Sequence, residues 1–274
     1  MTFDALASPR AASAEPGAVL GFVRQSLAIA EAELRKLRRD PTEMVTRAAQ
    51  PALWLLVFGE VFTRIRAIPT GELSYVEFLA PGVLAQSVLF AAIFFGIAAI
   101  WERDLGIIHK MLVSPAWRSA LVMGKAISAG LRGLTQAIIV YLLALLLGVR
   151  LDFSPLALAG VAAVVMLGSA LFATFSLIVA CIVKTRERFM GIGQLLTMPL
   201  FFASNAIYPI SVMPGWLRVV ARVNPLTYVV DALRGLMIRG GHSTFGVFAD
   251  AVVPAAAFVL LLAVASRLYA GLVR

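Results

Sequence analysis

The length of the charge-free runs constrains this chain more than any other feature. No Asp, Glu, Lys or Arg occurs from Phe78 to Trp101, from Phe153 to Val183, or from Phe189 to Leu217. Each run exceeds the roughly 20 residues that a helix needs to cross about 30 Å of hydrocarbon. A soluble core of this size cannot bury three such runs and keep a polar surface. Composition agrees, with 61% apolar and 14% charged residues against about half and a quarter in soluble domains. The single cysteine, Cys181, lies inside one run and is expected to act as a small apolar residue.

The expected fold is therefore an all-α integral membrane protein with six transmembrane helices, at about 44–62, 79–100, 127–149, 156–183, 189–210 and 247–268. The first is the least apolar, with Arg47 and Glu60 near its ends. The fifth passes into a broken apolar stretch containing Pro199, Asn205 and Pro209. Residues 1–17 are rich in Ala, Ser and Pro and are expected to be a disordered tail. Residues 18–40 show Leu20, Val23, Leu27, Ala30, Leu34 and Leu37 at helical spacing, with Arg24, Glu31, Arg35, Lys36, Arg38 and Arg39 on the other faces. That pattern fits an amphipathic helix lying on an anionic membrane surface. Asp40-Pro41 ends it, because the residue before proline is pushed out of helical angles. No apolar core occurs near the start, so insertion is expected to use the first transmembrane helix.

Orientation follows the Lys/Arg bias of the connections. With both termini cytoplasmic, most of the 24 Lys and Arg residues fall inside. Arg64, Arg66, Arg150, Arg218, Arg222, Arg234 and Arg239 fall outside, and the last four crowd one segment. The net charge of +9 needs only positive-inside loops on an anionic membrane and implies no nucleic acid.

Two stretches carry more than topology. After the second span comes Trp101-Glu102-Arg103-Asp104-Leu105-Gly106-Ile107-Ile108-His109-Lys110, running on to Ser114-Pro115. Its charges and its apolar spacing predict a short amphipathic helix on the cytoplasmic side. A second short element, Ser119 to Lys125, is expected to return the chain to the membrane. Between the fifth and sixth spans comes Met213-Pro214-Gly215-Trp216-Leu217, then Asn224-Pro225-Leu226-Thr227-Tyr228 and Asp231-Ala232-Leu233-Arg234. Pro-Gly marks a turn, Asn-Pro a helix start, and Asp231 and Arg234 can pair at i,i+3.

The pattern from Glu102 to Pro115 resembles the coupling region of ABC-2 type transporter permeases. The series Tyr208-Pro209, Pro214-Gly215-Trp216, Asn224-Pro225 and Asp231 to Arg234 resembles that family's signature after its fifth helix. The similarity covers roughly Leu20 to Leu268 and is greatest to drug-exporter permeases of the daunorubicin-resistance type. It implies an N-terminal interfacial helix, a cytoplasmic coupling helix after the second span, and an extracellular re-entrant helical hairpin between the fifth and sixth. It also implies two ATP-binding subunits, a second permease (identical or related) and a bacterial plasma membrane, with membrane lipids as further partners.

No Gly-x-x-x-x-Gly-Lys-Ser/Thr occurs here, and Gly191-Ile192-Gly193 lacks a following lysine. The chain is thus expected to have no catalytic site, no metal and no cofactor of its own, with ATP and Mg on the partner. Glu102, Arg103, Asp104, Gly106 and His109 are the coupling candidates. Pro209, Pro214, Gly215, Asn224, Pro225, Asp231 and Arg234 are the structural or gating candidates. Arg132 and Gln136, one turn apart, are candidates for the pathway, since intramembrane ionisable groups are functional by default; the alternative is that Arg132 snorkels. Phe94 and Phe95, with Phe90, Phe172 and Phe175, are candidates for an apolar substrate surface. Gly160 and Gly168 suit close helix packing. The expected cargo is a hydrophobic or amphipathic drug, natural product or lipid. Export of a lipid-linked glycan is the alternative. A secondary transporter is disfavoured because the deep segments show no symmetric broken helices.

Overall fold

The computed structural model describes residues 18–39, 49–65, 68–106, 118–183 and 185–268. Among these residues every regular element is helical, apart from an isolated bridge between Leu151 and Ile238. Helix α1 spans Ala18–Arg39. A helical stretch at 49–65 contains a π-helical turn, Trp54–Gly59, and ends in α2, Glu60–Ile65. Then follow α3 (Tyr75–Asp104), α4 (Arg118–Leu146), α5 (Pro155–Ile182), α6 (Arg186–Phe202), α7 (Gly215–Val223), α8 (Pro225–Met237) and α9 (Val247–Leu268). Four described helices, α3, α4 from Ser119, α5 and α9, are long and apolar enough to cross a membrane.

Side chains at the helix starts fix where several of these helices begin. Ser74 accepts from the Glu77 N–H and the Glu77 carboxylate accepts from the Ser74 N–H, a capping box that opens α3. Ser154 caps α5 with Pro155 at the first position, and Asn224 caps α8 with Pro225 likewise. Thr185 caps α6.

Helix α3 is the axis of the bundle. Leu79, Val83, Leu84, Ala99 and Ile100 along it are fully buried, and α4, α5, α6 and α8 pack around it. Small residues permit the close approaches, as membrane helices require where there is no hydrophobic drive between them. A Cβ on Gly96 would stand 2.3 Å from the Phe189 ring of α6. Gly168 and Gly160 of α5 receive Val229 and Leu236 of α8, so α8 runs antiparallel to α5. Helix α1 lies against the start of α4, where the Ser26 hydroxyl donates to the Ala120 carbonyl.

Three sequence expectations change. Glu102, Arg103 and Asp104 do not begin a loop helix; they are the last turn of α3. Ser119 to Lys125 is no separate element, because α4 runs unbroken from Arg118 to Leu146. In both cases opposite charges on the two helices neutralise each other, so neither helix has to stop where its charges start. The fifth helix ends at Phe202, short of residue 210, and 203–209 is irregular backbone. Residues 1–17, the start of the first expected span at 44–48, and 107–117 with His109 lie outside the described residues.

Candidate functional site

Charged side chains gather at both ends of the bundle. At the Asp104 end, Lys125 Nζ lies 2.5 Å from Glu102 Oε2, and both side chains are buried. Asp104 bonds Arg103 at 2.9 Å and, from its other oxygen, Arg186 at 2.9 Å. The Arg186 guanidinium also lies over the Trp101 ring, 4.3 Å from its centre. One turn of α3 is thereby tied to α4 through Lys125 and to α6 through Arg186. Breaking a buried pair from one side leaves a charge without compensation and costs about 3–5 kcal/mol. Gly106 follows in the left-handed region, φ +71°, where a residue with a Cβ is strained.

At the opposite end, Glu77 pairs with Arg150 across the start of α3 and the turn between α4 and α5, at 2.7 Å. That carboxylate holds the exposed Arg150 guanidinium above its ordinary range. The more elaborate assembly lies beside it, around the α7–α8 hairpin. Asp231 is fully buried. Its Oδ2 accepts from the backbone N–H groups of Thr244, at 2.6 Å, and Phe245, at 2.9 Å. Its Oδ1 accepts from Asn205 Nδ2 and faces Arg234 at 3.8 Å. Arg234 donates to the Asn205 carbonyl at 2.8 Å and lies 3.9 Å from the centre of the Phe78 ring. Asn224 caps α8 with its side-chain oxygen, while its amide donates to the Leu200 and Ala203 carbonyls at the end of α6. A helix end in apolar surroundings leaves carbonyls orphaned, and Asn224 satisfies two of them. The irregular segment 203–209 then crosses α3 at Gly82, where a Cβ would stand 2.3 Å from the Ala206 oxygen.

The hairpin reaches deep. Asn224 and Pro225 at its tip share a cavity with Leu171 and Phe172, about 24 Å along α5 from Pro155 at 1.5 Å per residue. The cavity, about 720 Å³, is apolar and is also lined by Phe175, Leu200, Val220 and Leu261. Phe172 and Phe175 thus line one surface. Helix α7, which covers this cavity, is thinly held: Ala221 is its buried residue, whereas Trp216, Val219 and Val223 are exposed.

The structure brings Glu102, Arg103 and Asp104 together at one end, and Asn224, Asp231 and Arg234 at the other. Pro209 precedes the 3₁₀ turn Ile210–Val212, while Pro214 and Gly215 begin α7. Arg132 lies over the Phe95 ring at 5.2 Å, Gln136 is buried, and Phe94 is half exposed on another face. Sequence reasoning missed Lys125 and Arg186, the partners that make the Asp104 end a cluster. It also missed Gly82, Ser243 and Asp250. An acid such as Asp250 in the first turn of an apolar span is a signal that could have been used.

A family model described as "ABC-2 type transporter" matches residues 24–238. The chain is 26% identical over 218 residues to "Putative transport permease ycf38" of Cyanophora paradoxa, covering 78% of this chain and 74% of that one. It is 27% identical over 206 residues to "Daunorubicin resistance ABC transporter permease protein DrrB1" of Streptomyces coeruleorubidus, covering 75% and 71%. It is 26% identical over 196 residues to "Nodulation protein J" of Rhizobium leguminosarum bv. trifolii, covering 71% and 72%.

Proposed function

The chain belongs to the ABC-2 type transporter family, and on that basis we propose that it is the membrane-spanning subunit of an ATP-driven exporter of hydrophobic or amphipathic compounds. In this reading the helical stretch at 49–65 and α6 join the four long apolar helices to make six crossings. Both termini and the Asp104 end face the cytoplasm of a bacterial cell, and the α7–α8 hairpin dips in from outside. Two such chains, or this chain and a related one, pair with two ATP-binding subunits that hold ATP and Mg.

One observation carries the mechanism: the ion pairs of Glu102 and Asp104 gather α3, α4 and α6 at the end of α3, from which residues 107–117 continue in sequence. A push on that segment by an ATP-binding subunit acts on three helices together. ATP binding then favours one of two arrangements of the bundle, and this differential stabilisation is what a ligand on another subunit must supply. Midway along α5 the apolar cavity beneath α7, with Phe172 and Phe175, suits an apolar cargo. The thin attachment of α7 suits an element that moves aside.

The test is reconstitution in vesicles with a candidate ATP-binding subunit, comparing the wild type with Gly106→Trp and Asp104→Ala. Co-purification with wild type, and loss of cargo-stimulated ATPase in the variants at retained folding, is the expected result. Failure of any ATP-binding subunit to associate removes the exporter reading. Association with unchanged stimulation in both variants removes the coupling role of this turn alone.

A further inference from the structure

Asp250, the acid in the first turn of α9, is not used by any of the contacts that hold the hairpin. It is 4% exposed. Its Oδ2 lies 2.7 Å from the Ser243 hydroxyl oxygen, and its Oδ1 has no hydrogen-bond partner among the described residues. Ser243 has one proton to donate, and Asp231 Oδ2 lies 3.2 Å from the same hydroxyl. Asp231 already has two backbone N–H donors and faces Arg234. Asp231 and Arg234 therefore balance each other. Asp250 is left with one short hydroxyl contact and, among the described residues, no ion-pair partner. A buried carboxyl in that state is stabilised either by a proton or by a cation.

Asp250 also lines a cavity of about 530 Å³ between α5, α8 and α9. That volume lies within the roughly 300–1,000 Å³ of small-molecule sites, which are apolar with a few convergent polar groups. Val164 and Leu167 of α5, Val229 and Leu236 of α8 and Pro254 of α9 supply apolar walls, and Asp250, Ser243 and His242 the polar lining. No group of three or more His, Cys, Asp or Glu side chains suited to a metal occurs among the described residues. The chemistry calls for an organic cation with an N–H to donate and an apolar body.

We propose that this cavity binds an amphipathic organic ammonium ion, its N–H donating to Asp250 and its apolar part lying against α5 and α8. Calling that ligand cargo rests on the exporter reading; the binding itself does not. The closing experiment needs no ATP-binding subunit. The full chain in phosphatidylcholine nanodiscs is titrated with dansylcadaverine, a fluorescent primary amine, and with its N-acetylated, uncharged form, using empty nanodiscs as background. The amine is expected to bind about ten-fold or more tightly than the amide, as the loss of one charge-assisted hydrogen bond implies. Asp250→Asn should abolish that preference. Ala251→Trp, which fills the cavity from an exposed position and keeps the acid, should weaken amine binding and decides the matter if Asp250→Asn does not fold. Equal binding of amine and amide to the wild type overturns the proposal and means that Asp250 carries a proton in place of a cation. Unchanged amine binding in the folded Asp250→Asn or Ala251→Trp variant overturns it too. If amines bind but no ATP-binding subunit associates, the site stands and the exporter reading falls; if coupling holds but amines do not bind, the reverse.

Discussion

The two ends of the bundle use the same kinds of charge in different ways. Around the hairpin, Asp231, Arg234 and Asn224 bond largely to backbone: to the Thr244 and Phe245 N–H groups and to the Asn205, Leu200 and Ala203 carbonyls. At the Asp104 end, Glu102 and Asp104 bond side chain to side chain, to Lys125, Arg103 and Arg186. The first arrangement holds irregular chain, so each bond is tied to one backbone conformation. The second joins helices that already satisfy their own backbones. Such pairs can part and re-form without orphaning a carbonyl. The hairpin end is tied through backbone, the Asp104 end through side-chain ion pairs.

That contrast can be broken by replacing whole pairs. The largest effect is expected from Asp231→Ala, which strands buried Arg234 and two backbone N–H groups, at about 5 kcal/mol. Thermal denaturation followed by size exclusion in detergent should show little folded protein. Adding Arg234→Met should not rescue it, because the backbone partners remain unsatisfied. Next comes Glu102→Ala, at about 3 kcal/mol. Here the double variant Glu102→Leu/Lys125→Met should recover most of the loss, since an apolar pair can replace a buried ion pair at little cost. Rescue at both ends, or at neither, would end the distinction. Asn224→Ala should cost about 1–2 kcal/mol through the lost cap and the freed carbonyls. Arg150→Ala should cost less than about 1 kcal/mol, because that side chain is mostly exposed and its pairing with Glu77 is screened by water. A melting point for Arg150→Ala lower than that for Asn224→Ala would show that the rim pair, not the cap, closes this end.

Much of the fold was legible because helices in hydrocarbon depend on local sequence. The charge-free runs mark α3 and α5, and α9 covers Val247–Leu268, the bounds of the expected sixth span. Asn224-Pro225 marks the start of α8, since a cap and a proline at the first position act within one turn. The helix ends were less legible. Charges at Glu102 and Lys125 look like the edges of two spans. They are interior to longer helices because their partners, 23 residues apart in sequence, are in contact. The end of α6 was equally hidden, because the group that stabilises it, Asn224, lies more than twenty residues downstream.

The order of residues alone makes this a helical membrane chain and places the residue types of its two motifs. Those properties follow from runs, spacing and caps, each acting over a few turns of chain. Which charges neutralise which, and how far along α5 the hairpin reaches, depend on the folded arrangement. The same arrangement matches Asp231 with Arg234, while Asp250, nineteen residues on, lines a cavity and has no ion-pair partner among the described residues. Burial and pairing are properties of neighbours in space, and in a bundle of helices those neighbours come from distant parts of the chain.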